Sequence, residues 1–190
     1  MDLIQVIPAT LIIILAFTVY TYNRIIGLQN MANTTLANID TLLQKRFDLV
    51  PNLVNTVKAY MKHEQEVLET ITRARTEYEH ARTIKENAGA DEKATRALKT
   101  LFAVAESYPD LKANQNFMML QEELVAIENK LAYARQRYNR TVMIINTLLQ
   151  KFPTNLVARV FKFQPREYFA VESEQVRSVP GVEMQGGEGR

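Results

Sequence analysis

The start of the chain constrains it most: from Leu3 to Asn23 there are 21 residues without a formal charge, 11 of them Leu, Ile, Val or Phe. At about 1.5 Å rise per residue such a helix spans roughly 31 Å, enough for one bilayer crossing. A secretory signal peptide is the alternative. Asp2, however, stands where a signal peptide carries Lys or Arg, and no A-x-A cleavage site follows. The expectation is a retained transmembrane anchor at 1–23, embedded in membrane lipid through residues 3–23. Pro8 then falls in the first turns, where a missing N–H costs least, and Tyr20 and Tyr22 fall at the interfacial level. No Lys or Arg precedes the apolar run while Arg24, Lys45 and Arg46 follow it, so the positive-inside rule places the short N-terminus outside and the remainder in the cytoplasm.

Beyond the anchor the pattern is helical throughout. Leu53, Val57, Tyr60, Val67, Ile71, Ala74, Tyr78 and Ala81 fall on an alternating 4-3 spacing with one polar slot, Glu64. Phe117, Leu120, Leu124, Ile127, Leu131, Ala134, Tyr138, Ile145, Leu148 and Phe152 keep the same spacing, with a step at Thr141 and Val142. Between these runs a shorter helix is expected from Asp91, as N-cap, to Ser107, burying Leu98, Leu101, Phe102 and Ala105; Asn87 to Gly89 reads as the preceding breaker. Pro51 either kinks the chain or reverses it. Lengths argue against a full reversal: Arg24 to Asp48 rises about 37 Å, and a helix from Pro51 to Asn87 would descend about 55 Å. The fold class expected is all-α, one N-terminal transmembrane helix followed by an antiparallel, up-and-down four-helix bundle over 24–171. Residues 172–190 hold four of the six glycines and read as a flexible tail.

Short blocks recur, Thr41-Leu42-Leu43-Gln44-Lys45 as Thr147-Leu148-Leu149-Gln150-Lys151 and Tyr22-Asn23-Arg24 as Tyr138-Asn139-Arg140, at offsets too different for one duplication. More telling is the set Gln44-Lys45-Arg46-Phe47-Asp48-Leu49-Val50-Pro51-Asn52-Leu53-Val54, His63-Glu64, Tyr108-Pro109-Asp110-Leu111-Lys112-Ala113-Asn114, Arg135-Gln136-Arg137-Tyr138-Asn139, Asn146, Phe152-Pro153 and Tyr168-Phe169. With these blocks the chain resembles the LemA family of bacterial membrane-anchored helical proteins over nearly everything from Leu3 to Phe169. The resemblance implies an N-terminal transmembrane helix in the bacterial inner membrane, a small external N-terminus and a cytoplasmic antiparallel helical bundle. It implies no established biochemical activity.

Composition removes whole classes of chemistry. With 23 Lys+Arg against 21 Asp+Glu the net charge is +2, too small a field to expect nucleic acid, and the absence of cysteine removes disulfides, thiolate catalysis and Cys-based metal sites. His63-Glu64 is no zincin motif, because Val67 stands where the second histidine belongs. Glu77 and His80 form a single E-x-x-H, and a di-iron bundle needs that pair twice. Neither metal, cofactor nor catalytic group is therefore expected. Glu64 occupies a core slot and calls for a partner, with Arg135, Arg137 and Asn139 as candidates, and Arg46, Asp48 and Asn52 around Pro51 read as a capped junction. Together with His63 and Tyr138 these are the structural polar positions of the chain. Asn33-x-Thr35 and Asn139-x-Thr141 match the glycosylation sequon but sit on expected helices of a cytoplasmic domain.

Phe152, Phe161, Phe163, Tyr168 and Phe169 interleave with Arg159, Lys162 and Arg166 in a segment that either route through Pro51 returns to the membrane-proximal end. This aromatic foot either lies on the membrane surface or closes the bottom of the bundle. The functional expectation is a non-enzymatic, membrane-anchored helical scaffold that self-associates as a homo-oligomer through its coiled-coil-like seams to organise membrane or recruit partners. The alternative is a monomeric signalling adaptor that binds a protein partner through a loop at Glu86 to Asp91 or through the tail.

Overall fold

The computed structural model describes residues 3–61 and 64–170, with side chains from residue 6 onward. The first helix, α1, runs unbroken from Leu3 to Lys58 with Pro8 and Pro51 inside it. Pro51 therefore neither reverses nor ends the helix. A proline in a helix interior costs about 3 kcal/mol, and here Phe47, Val50, Leu53, Val54 and Val57, all buried around it, hold the backbone in place. Along α1 the threonines return their hydroxyls to the carbonyl four residues back, Thr10 to Val6 at 2.9 Å and Thr18 to Ile14 at 2.8 Å within the apolar part. Both hydroxyls are thereby satisfied within the helix itself.

The long second helix expected from Asn52 to Ala81 is divided. α1 stops at Lys58, and α2 occupies Gln65–His80 with Glu64 at its N-cap. Glu64 is consequently a half-exposed cap residue, not a charge within the seam, because the break resets the helical phase. His63 lies outside the described residues, as does the tail at 172–190.

α3 spans Ile84–Ala105 and begins eight residues earlier than expected, with its N-cap at Thr83 instead of Asp91. The Thr83 hydroxyl accepts from Glu86 N–H while the Glu86 carboxylate accepts from the Thr83 and Arg82 backbone, a reciprocal capping box. Those bonds hold the Glu86 carboxyl below its ordinary value. Asn87 to Gly89 is thus helix rather than turn, the loop at Glu86 to Asp91 does not exist, and Asp91 is an interior residue. A short α4 (Pro109–Lys112) leads to α5 (Gln115–Gln150), capped by Asn114, and α6 covers Thr154–Val160. Among the described residues every regular element is helical.

Cross-chain contacts show how these elements lie. Asn114 Nδ2 donates to Tyr60 Oη at the far end, Arg46 meets Glu128 midway, and Leu148 packs with Ile25 at the near end, so α5 runs antiparallel to α1. The α2–α3 pair covers only the distal part: Tyr78, near the end of α2, stacks on Phe47 with ring centroids 4.5 Å apart, and Phe102 on α3 meets Phe117. α2 has 16 residues and rises about 24 Å, so it stops well short of the base. There the third layer is the segment after α5, which turns through α6 and climbs back along α5 to bury Phe169.

Candidate functional site

Two polar constructions stand out from the apolar packing. The first is a closed ring of four charges joining α1, α3 and α5. Arg46 Nη1 donates to Asp91 Oδ1 at 2.7 Å and lies 2.9 Å from Glu128 Oε2; Arg135 Nη1 meets Asp91 Oδ2 at 2.5 Å and its Nη2 meets Glu128 Oε1 at 2.9 Å. Thr95 Oγ1 accepts from Arg46 at 3.0 Å and donates to Glu128 at 3.3 Å. Cations and anions alternate and cancel. Arg46 is 1% exposed and Asp91 0%. Burial pushes the Asp91 carboxyl above its ordinary value, while Arg135 and Arg46 pull it back down. Arg46 Nε, also buried, has no hydrogen-bond partner. Taking such charges out of water is costly, so the intact ring adds little net stability, whereas loss of one member would leave a buried charge uncompensated.

The second construction is a ladder on α5 that holds the returning C-terminal segment. Asn146 Nδ2 donates to the Arg166 carbonyl at 2.9 Å and its Oδ1 accepts from Arg166 N–H at 2.9 Å. Two helical turns away Asn139 does the same to Phe169, at 3.1 and 2.8 Å, and Tyr138 Oη donates to the Glu167 carbonyl at 3.0 Å. Burial pushes the Tyr138 hydroxyl up from its ordinary value, against an opposing pull from Arg166. Each asparagine thus stands in for the backbone of a neighbouring strand, satisfying one donor and one acceptor.

Of the polar positions singled out in the sequence, Arg46 and Arg135 come together in the ring, and Tyr138 and Asn139 in the ladder. Asp48 is exposed and accepts from Gln44 at 3.1 Å, and Asn52 is exposed on α1. Glu64 meets none of Arg135, Arg137 and Asn139 in either construction. Glu128 is not among the candidates, and Asp91 is expected only as an N-cap and the end of a loop. Their signal, acidic residues on two separate helices facing two arginines, exists only after folding. Glu77 of the E-x-x-H is held by Lys93 Nζ at 2.9 and 2.7 Å, and among the described residues no group of three or more acidic, His or Cys side chains is placed to hold a metal.

The foot divides into two faces. Phe163 packs inward with Ile25, Leu148 and Ala158, and Tyr22 lies 4.7 Å from Phe161 and 5.6 Å from Phe163 between ring centroids. Phe169 is buried, whereas Phe152, Phe161, Tyr168, Arg159 and Lys162 are exposed and Arg166 is half-buried. Two grooves lie away from the charge ring. One of about 810 Å³ runs between the end of α1 and α2, lined by Val54, Lys58, Met61 and Leu68 among others. Another of about 600 Å³ runs between α1 and α5 past Met31, Thr35, Lys130, Tyr133 and Arg137. Neither is lined by a ring residue.

An all-α protein is defined by this arrangement, one whose N-terminal helix is long and apolar enough to cross a membrane and continues directly into the packed domain. The chain belongs to the LemA family, whose sequence model matches residues 35–184. It is similar to Magnetosome protein MamQ 2 and Magnetosome protein MamQ 1 of Paramagnetospirillum magneticum, each 24% identical over 78% of this chain and 64% of the relative. Magnetosome protein MamQ of Magnetospirillum gryphiswaldense is 22% identical over the same shares. The chain therefore covers less than two thirds of the length of these relatives. Neither the family description nor these names states an enzymatic activity.

Proposed function

We propose that this protein is a non-enzymatic, single-pass scaffold of the bacterial inner membrane, with its N-terminus outside and an up-and-down bundle of α1, α2, α3 and α5 in the cytoplasm, which self-associates to organise membrane or recruit partners. The observation that carries the reading is the continuity of α1. From Val6 to about Tyr20 its large apolar side chains face outward, and without a linker the same helix supplies Ile25, Ile39, Leu43, Phe47 and Leu53 to the core. A domain built onto its own anchor is suited to transmit position and orientation, and the buried polar groups are taken up in holding helices together in the ring and the returning segment in the ladder. Self-association would draw on the α1–α5 pair, where Met31 and Tyr133 are exposed and share a groove with Lys130 and Arg137.

The test is the mass of the full chain in mild detergent by light scattering, followed by electron microscopy of the main species. A protein mass several times 21.8 kDa that falls on Tyr133→Glu is the expected result. A monomer that ignores dilution overturns self-association and turns the search to partners of an adaptor, beginning with deletion of 172–190.

A further inference from the structure

The turn after α5 leaves an apolar row facing away from the domain. Phe152, Leu156 and Val160 follow one another at four-residue intervals and are 73%, 53% and 75% exposed, with Phe161 beside them at 46%. The opposite side of the same turn, Val157 and Ala158, is buried. Lys151, Arg159 and Lys162, all exposed, are interleaved with the row, and no acidic residue occurs between Lys151 and Arg166. We propose that this segment is an amphipathic foot that lies on an anionic bilayer surface beside the anchor, its apolar row in the acyl boundary and its basic residues among the headgroups. The proposal rests on the reading of α1 as a membrane crossing.

Level, charge and backbone all point to lipid as the occupant. Between Val6 and Tyr20 every α1 residue except half-buried Thr18 is exposed, the first buried residue is Thr21, and Tyr22 meets Phe161 and Phe163. Residues 3–20 rise about 27 Å, close to the thickness of the hydrocarbon core, so the foot sits where that core ends. An interfacial helix buries its apolar face roughly 5–10 Å below the headgroups and gains from lysine and arginine on its flanks when the lipids are anionic. The backbone adds an independent sign. α6 closes in a Schellman turn, with Phe163 N–H on the Ala158 carbonyl at 2.9 Å and Lys162 N–H on that of Arg159 at 3.1 Å, and the left-handed position, φ 56°, is held by Lys162 instead of glycine. A lysine there stands against its conformational preference and is exposed to the surroundings of the row.

The chain has no tryptophan, so single-tryptophan variants report position without background. Leu15→Trp on the anchor, Val160→Trp on the foot and Thr100→Trp on the exposed side of α3 are each reconstituted as full chains in two kinds of vesicle. One is equimolar phosphatidylglycerol and phosphatidylcholine; the other is phosphatidylcholine alone. Shallow-brominated lipids serve as quencher. In the anionic vesicles Leu15→Trp and Val160→Trp are expected to be quenched at least about three-fold more than Thr100→Trp. The Val160→Trp signal should fall towards the neutral-lipid value when Lys151, Arg159 and Lys162 are changed together to Gln. Quenching of Leu15→Trp with Val160→Trp at the Thr100→Trp level overturns the foot and leaves the crossing standing. Protection of Val160→Trp from aqueous iodide without quenching by brominated lipid also overturns it, in favour of a second copy of the chain. Equal quenching in both vesicles removes the anionic preference and refutes the proposal as stated. An unquenched Leu15→Trp refutes the crossing itself and the foot with it.

Discussion

Replacing Arg46 by methionine should be among the most damaging single changes in the domain, for an electrostatic and not a steric reason. Methionine fills much of the same volume, so little cavity is created. What disappears is one terminal nitrogen that serves Asp91 at 2.7 Å, Glu128 at 2.9 Å and Thr95 at 3.0 Å. Glu128 is half-exposed and recovers through water, but Asp91 is fully buried and keeps only Arg135. Removing one partner of a buried ion pair costs about 3–5 kcal/mol, a large part of the roughly 5–15 kcal/mol that holds an ordinary domain together.

The pH dependence follows from the direction in which Asp91 is displaced. Its carboxyl in the fold lies above its ordinary value of 3.8, because burial outweighs the two arginines. A raised acid contributes stability that is fully present below the ordinary value and is lost as pH rises through the raised one. Arg46→Met removes one of the downward pulls, raising Asp91 further and widening that window. The deficit should therefore be greatest near pH 7 and shrink as the pH falls towards 4, where the orphaned carboxyl takes a proton. Urea unfolding of the full chain in detergent, followed by far-UV circular dichroism across that range, measures it. The double variant Arg46→Met, Asp91→Leu leaves the outer Arg135–Glu128 pair intact and should recover most of the loss. A single-variant cost under about 1 kcal/mol, a deficit unchanged with pH, or a double variant no better than the single would refute the reasoning.

Asn139→Ala should free the backbone of Phe169, costing about 1–3 kcal/mol locally and raising hydrogen exchange of the Phe169 amide well before that of α5; Asn146→Ala should do the same more weakly at half-buried Arg166. Gly89 lies inside α3 and a Cβ there meets nothing within 4 Å, so Gly89→Ala should stabilise the chain by about 0.5–1 kcal/mol in thermal unfolding. Lys162→Gly should relieve the left-handed residue that closes α6 and add up to about 1 kcal/mol in detergent, while weakening the response of the foot to anionic lipid.

The apolar half of this fold is legible residue by residue. On α5 every seam position from Phe117 to Leu148 is buried, as are Thr141 and Val142 at the phase step, because a period of 3.5 to 3.6 leaves one face for the core. Phe152 continues the spacing and is exposed, since α5 ends at Gln150 and the face it extends no longer meets α1. The helix boundaries were less readable. Asp91 has the side chain of an N-cap, but Thr83 with Glu86 three residues on makes both reciprocal bonds and prevails. Pro51 and Gly89 are breakers by local preference and sit inside helices because tertiary packing outweighs a few kcal/mol. The charge ring was half visible. Arg46 and Arg135 could be marked as polar residues in need of a role, but pairing over 44 and 45 residues of separation leaves no local pattern.

The ring and the foot are connected through register. Aliphatic seams of the kind that join α1 to α5 pack acceptably after a slip of one turn, since leucine, isoleucine and alanine make no directional bonds. A slip of about 5.4 Å would carry α6 by the same distance along α1, comparable with the whole depth to which an interfacial helix is immersed. Arg46, Glu128 and Arg135 forbid that slip, because any other alignment leaves buried charges unpaired, and Asp91 ties α3 to the same setting. At the near end the Asn139 and Asn146 ladder fixes the returning segment against α5 to within one residue. Polar groups that add little net stability thus locate the base of the domain relative to the end of the apolar stretch, so a loosened ring is expected to show itself first in the depth of the foot and only later in the melting of the helices.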